Sequence, residues 1–258
     1  APMVLFDAIK LLQAQGHSIE VVSMDRGELS EDIEALGISI SYCEHFLNER
    51  ETWIEDFKKY DLVICNTIVS FEAIHVLCHT DVPTLWWIHE PENYFELLSD
   101  VLPDIAKLTD NIHITAVSPM GQDIIKKRFG ISVPLLPFFI EDSHAGDGEA
   151  GNKDEVSFVC VGVYSSMKGQ DILAEAIRKL PAEISGLCRF YFYGDESRSD
   201  KDILATIKKL RDDGYPTELC GAISHDEMLR RIAAADYLIA PSRRDSMPTV
   251  AAEAMMQA

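Results

Sequence analysis

Positive charge is in short supply. Across 258 residues, 23 Lys and Arg face 43 Asp and Glu, a formal net charge of −20. No run of cations relieves the deficit. Binding a phosphate backbone needs clustered Lys and Arg, so no nucleic-acid partner is expected. A basic membrane-docking face is disfavoured as well, though a peripheral membrane contact stays open. Long apolar runs are also lacking. The longest are strand-sized, which leaves no candidate transmembrane segment. No signal-peptide pattern opens the sequence, because Asp7 and Lys10 interrupt a stretch that reads as an amphipathic helix. Cys43, Cys65, Cys78, Cys160, Cys188 and Cys220 form no CxxC pair, and most lie in apolar stretches. They read as buried reduced thiols, which points to the cytoplasm. The sequence contains no GxGxxG, Walker or GxSxG pattern. A dinucleotide dehydrogenase, a P-loop ATPase and a serine hydrolase are therefore disfavoured.

What is present is alternation. Strand-like runs fall at Ser18–Ser23, Asp61–Asn66, Thr84–Ile88 and His113–Ser118. They are nearly continuously apolar, as a sheet covered on both faces requires. Val4, Leu5, Ala8, Ile9 and Leu12 repeat at helical spacing. Ser118-Pro119 caps and starts a helix that Gly130 closes. The segment 141–155 is polar, Gly-bearing and acidic, and reads as an interdomain linker or exposed loop. The alternation then restarts. Strands are expected at Val156–Val161, Phe190–Tyr193, Leu219-Cys220 and Asp236–Ala240. Helices are expected over Asp171–Leu180, Ile203–Leu210 and Thr249–Met256, with Ser224-x-x-Glu227 as a capping box opening another. Two β/α series mean an α/β protein of two doubly wound parallel-sheet domains, over 1–145 and 146–258. Each would bind ligands at the carboxyl ends of its strands.

Two constellations carry chemistry. In the first, the strand at Asp236–Ala240 runs into a loop holding Asp245, then into a helix bearing Glu253. Glu253 falls roughly 7 Å along that helix. Two acceptor-only carboxylates so spaced could grip hydroxyls at two ends of a polyol. The helix start between them suits a phosphate. In the second, Val161-Gly162 leads through Lys168-Gly169 into a helix. This turn would present amides and a cation to a diphosphate. Two weaker candidates read more simply. His75 and His79 stand at i, i+4 without a third metal ligand in suitable spacing, and Trp86 and Trp87 read as strand core.

In order and spacing, Gln15-Gly16-His17, His89-Glu90, Val117-Ser118, Val161-Gly162 through Lys168-Gly169, Gly194-Asp195, Ala235-Asp236 and Pro241-Ser242 resemble the family-four retaining glycosyltransferases of the GT-B fold. Asp245 and Glu253, with seven residues between them, look like that family's Glu-x7-Glu pair. The resemblance implies two Rossmann-like domains, N-terminal on the acceptor side and C-terminal for the nucleotide sugar. It also implies an internal portion of a longer enzyme, with the first strand missing and the second domain incomplete. The implied activity is transfer of a sugar, with retention, from a nucleotide-diphosphate sugar to a glycan, lipid-linked or small-molecule acceptor. His89 and Asp245 would be catalytic. Gly162, Lys168, Ser242, Met247, Thr249 and Glu253 would bind the donor, with Glu253 on the ribose and Lys168 on the diphosphate. No metal and no cofactor are implied. The alternative is a catalytically weak sugar-nucleotide-binding or regulatory partner, with a GT-B-like epimerase or phosphorylase further behind.

The departures from the family are specific. Asp245 is one methylene shorter than the usual Glu. Val163 stands where the family carries an Arg, so that Arg243 or Arg244 is left to supply the second diphosphate cation. Met247-Pro248 replaces the usual Phe-Gly, and Phe138-Phe139 the usual Asn-Gly.

Overall fold

The computed structural model describes residues 2–27, 29–140 and 155–257. The chain divides into two compact units, Ala1–Glu141 and Asp142–Ala258. The expected boundary at 145/146 and nearly all of the expected linker lie outside the described residues.

In unit 1, α1 (Pro2–Ala14) leads to β1 (Glu20–Ser23), α2 (Ser30–Ala35) and β2 (Ser39–Tyr42). Then come α3 (Arg50–Phe57), β3 (Val63–Asn66), α4 (Phe71–Leu77), β4 (Thr84–Ile88), α5 (Glu92–Leu97), β5 (Ile112–Ala116) and α6 (Pro119–Phe129). All strand pairs are parallel, in two sheets of order β1-β2 and β3-β4-β5. A single sheet was expected here, and β2 was not read from the sequence. Its SISY has only one apolar residue facing in, Ile40, which packs with Ile9, Ile33 and Ile38. The larger core holds Trp86, Ile88, Cys65 and Ile114 against Ile74, Leu77, Phe95 and Ile125 of the helices, and Val22 of β1 packs on it. Trp86 and Trp87 are both buried on successive positions, so β4 is covered on both faces. At α6, Ser118 Oγ accepts from the Gly121 amide (3.1 Å) and Gly130 ends the helix at φ +73°. Both ends thus form as their sequence signals require.

Unit 2 runs β6 (Val156–Val161), α7 (Gln170–Arg178), α8 (Ala182–Ser185), β7 (Cys188–Tyr193), α9 (Lys201–Asp212), β8 (Thr217–Gly221), α10 (His225–Ala234), β9 (Tyr237–Leu238) and α11 (Thr249–Gln257). Its parallel sheet has the order β8-β7-β6-β9. Each new strand is laid outward from β6 until β9 crosses to the other side. That reversal puts a topological switch point between β6 and β9, the place where such sheets open a ligand crevice. Alternate strand residues face opposite layers. Cys160 and Phe192 pack with Leu173, Ile177, Ile207 and Leu210 of α7 and α9. Val159 and Tyr193 pack with Met228, Ile232, Val250 and Ala254 of α10 and α11. β9 covers only two of the five residues expected, because it pairs β6 only at Phe158–Tyr237 and Val159–Leu238 before the chain turns out towards Pro241. The capping box forms by half. Ser224 Oγ accepts from the Glu227 amide, while the Glu227 carboxylate turns to Arg230 and Arg231. No helix among the described residues is long and apolar enough to cross a membrane. All six cysteines are unpaired, and burial pushes the Cys65 and Cys160 thiols up to about 12.

Candidate active site

The switch point of unit 2 is closed by two loops locked backbone to backbone. The turn 162–169 leaves β6 and the loop 239–248 leaves β9. Arg243 N donates to Met167 O at 2.8 Å. Gly169, at φ +71°, lies so close that a Cβ there would fall 2.2 Å from Pro241 O. Gly194, after β7, is pressed against the same turn, and its Cβ would lie 2.3 Å from Gly162 O. These glycines are therefore requirements of close approach.

The expected display of turn amides is not what the structure builds. The amides of Tyr164, Ser165, Ser166, Lys168 and Gly169 are spent on Ser199 Oγ, Gln170 Oε1, Asp200 Oδ2, Ser165 Oγ and Ser165 O. Gly162 N is spent on Tyr193 O. Buried Gln170 also ties the turn through Nε2 to Val163 O (3.1 Å), so the turn is rigid before any ligand arrives. What it does offer is a cation. The Lys168 stem passes Gly162, with Cε 4.0 Å from where a Cβ would be, and Nζ donates to Asp245 Oδ2 at 2.6 Å. Ser242 Oγ also lies 3.5 Å from that oxygen. Lys168 keeps 40% of its side chain exposed and Asp245 19%, and an ammonium has three donors, so this contact leaves room for a further anion.

The two arginines part company. Arg243 is bidentate on Asp171 (2.7 and 2.7 Å) and donates to Ser166 O (2.8 Å), and this contact holds the Asp171 carboxyl below its usual range. It clamps the turn and is not the missing diphosphate cation. Arg244 follows it, exposed, with no side-chain partner among the described residues. Met247 lies in the loop and Thr249 opens α11, both half-buried. Further along α11, Glu253 is only 13% exposed, and its Oε1 accepts from His225 Nε2 at 2.9 Å. His225 was not singled out from sequence. Nothing in its flanking residues says that the first turn of α10 lies against α11.

Unit 1 places His89 just beyond the end of β4, over Trp87, with ring centroids 4.8 Å apart. Its Nε2 is buried without a partner among the described residues, and burial lowers its pKa to about 4. Buried Glu90 accepts from the Ile68 and His89 amides (2.8 and 3.1 Å). Burial pushes this carboxyl up, and the amide contacts pull it back. Thr67 sits beside this point at φ +77°, held by its own amide to Trp87 O and by Trp86 Nε1 to its carbonyl (both 2.8 Å). A threonine in the left-handed region is costly and persists only where neighbours impose it. His75 Nε2 donates to Val101 O, and His79 lies past the end of α4, so the two do not share a helix face.

Parallel α/β sheets in two units, one with a Rossmann half-sheet and a polar cluster at its switch point, define a GT-B architecture. A family profile described as "Glycosyl transferases group 1" matches residues 155–258, and one described as "Glycosyl-transferase family 4" matches 1–122. The chain belongs to these glycosyltransferases. Among solved structures it is similar to a glycosyltransferase from Rickettsia africae ESF-5 at 15% identity and TM-score 0.74, covering 99% of this chain and 73% of that one. It is similar to WaaG, a glycosyltransferase involved in lipopolysaccharide biosynthesis, at 14% and 0.68, covering 99% and 75%. A third likeness is to Anabaena Alr3699/HepE in complex with UDP and glucose, at 14% and 0.73, covering 99% and 74%. The chain thus spans about three quarters of these proteins. No curated protein matches it.

Proposed function

We propose that the protein transfers a sugar from a nucleoside-diphosphate sugar with retention of configuration. The observation that carries this reading is Lys168 at the switch point of unit 2, held 2.6 Å from Asp245 on the facing loop. A diphosphate arriving there meets an ammonium already positioned. Stabilising the departing diphosphate and holding the sugar in place are what such a transfer asks of a protein. Lys168 supplies the charge, so this reading calls for no divalent metal and no cofactor. Gly162 and Ser242 shape the diphosphate pocket, and Met247 and Thr249 line the way to the sugar. Asp245 accepts from sugar hydroxyls, Glu253 accepts from the ribose diol, and His89 keeps the catalytic role that the family resemblance gives it. The similarity to a UDP- and glucose-bound protein supports a nucleotide-sugar donor. The acceptor is a glycan, a lipid-linked sugar or a small molecule. The unpaired thiols suit a reducing, cytoplasmic setting.

Calorimetry with UDP, GDP and ADP, and with the matching sugar donor, tests the reading. Charge-assisted hydrogen bonds are worth about 1.5–3 kcal/mol, so Glu253→Gln is expected to weaken bare nucleotide binding by about one to two decades. Asp245→Asn is expected to weaken the sugar-bearing donor and spare the nucleotide. Unchanged nucleotide affinity in Glu253→Gln would refute the ribose assignment. Donor binding without transfer or hydrolysis would favour the binding-partner alternative.

A further inference from the structure

We propose that His225 is the positioning residue for Glu253, presenting one carboxylate oxygen to the ribose diol by holding the other; this rests on the donor reading above. Glu253 is nearly buried, and its only side-chain partner among the described residues is His225 Nε2, on Oε1 at 2.9 Å. No described residue donates to Oε2. A carboxylate accepts through both oxygens, so one bond to the protein leaves the second oxygen for a ligand.

The geometry of the pair does not depend on two free side chains finding each other. His225 is the first residue of α10, directly after the Ser224 cap, whose Oγ accepts from the Glu227 amide and whose carbonyl accepts from Met228 N. Met228 and Ile232 of α10 pack in one cluster with Val250 and Ala254 of α11, the residues flanking Glu253. Helix packing therefore sets where imidazole and carboxylate meet. A Glu left to rotate would lose side-chain freedom each time a nucleotide bound; one already held avoids that loss. Either the neutral Nε2–H tautomer or the imidazolium can donate this bond.

A purely structural ion pair makes a different prediction, and ribose chemistry separates the two. The intact protein is titrated calorimetrically with whichever of UDP, GDP and ADP the wild type binds best, and with its 2′-deoxy analogue. Wild type is expected to prefer the ribonucleotide by about tenfold, as the loss of one charge-assisted bond implies. His225→Ala is expected to erase most of that preference, weakening the ribonucleotide about fivefold and the deoxynucleotide less than twofold. His225→Gln, whose amide nitrogen can take the place of Nε2, is expected to restore it. A thermal melt checks that each variant is folded. Equal weakening of both nucleotides in His225→Ala, or a retained preference, overturns the positioning role and leaves the donor reading standing. A wild type that binds both nucleotides equally overturns the ribose assignment and this inference together.

Discussion

His89 and Lys168 both follow a parallel strand at its carboxyl end, one after β4 of unit 1 and the other after β6 of unit 2. Around His89 the side chains are buried and push ionisable groups towards neutrality. The imidazole is lowered to about 4, and Glu90 is raised by burial while two amides restrain it. Around Lys168 the groups remain half-exposed and are matched in ion pairs, Lys168 with Asp245 and Arg243 with Asp171. The difference comes from backbone reach. Apolar Trp86, Trp87 and Ile88 bring β4 fully into the core up to its last residue. The β9 loop instead swings out at Pro241 and folds over the glycine turn, which leaves its charges at the rim. One site is thus suited to a neutral hydrogen-bonding role, and the other to holding an anion.

The largest expected effect strikes unit 2 alone. Gly194→Ala would put a methyl group against the Gly162 carbonyl, backbone that no side-chain rotation can clear. A loss of ~3 kcal/mol or more is expected. All three tryptophans, Trp53, Trp86 and Trp87, belong to unit 1. In urea, circular dichroism should therefore show an earlier transition while tryptophan emission keeps its wild-type midpoint. Coincident shifts would show that the two units unfold together and would blur the contrast between them.

Next comes the acid limb set by His89. Its folded-state pKa lies below the usual 6.5, so between pH 6.5 and about 4 the unfolded chain binds the extra proton. The stability held above pH 6.5 is lost as pH falls through that window. The shift corresponds to about 3 kcal/mol, reduced to about 2 because the ring is not wholly enclosed. Thermal melts from pH 7 to 4.5 should fall less steeply in His89→Gln. An unchanged slope would mean that the imidazole is charged in the folded state, as the groups of unit 2 are.

Smaller effects concern charge at the unit 2 site. Lys168→Ala is expected to lower turnover by more than tenfold, or about 1.4 kcal/mol, with Lys168→Arg keeping part of it. Arg244→Ala should weaken donor binding only about threefold, since its guanidinium is exposed and screened. Wild-type turnover in Lys168→Ala would remove the anion site from the comparison. A larger loss from Arg244 than from Lys168 would relocate it.

Much of the site's chain order was legible in the residues. Gly162, Lys168, Asp245 and Glu253 announce a strand–turn–helix repeated at two places, because apolar runs, glycines and caps are local signals. The helix from Pro119 to Gly130 and the strands at Val63–Asn66, Thr84–Ile88 and Val156–Val161 could be read for the same reason. β2 could not, since a short polar strand on an edge carries little periodic signal. The fates of Arg243 and Arg244 were equally hidden. They are adjacent and chemically identical, and only the approach of Asp171 and Ser166 across the fold commits the first and leaves the second without a side-chain partner among the described residues.

By itself, then, the order of residues determined the alternation of strands and helices, the family, and which carboxylates and cation stand at strand ends. Tertiary structure alone decided their partners: Lys168 with Asp245 and His225 with Glu253. The physical reason is range. Periodicity and capping act over a few residues, whereas these pairings join positions 77 and 28 residues apart, whose meeting depends on where β9 crosses the sheet and how α10 packs on α11.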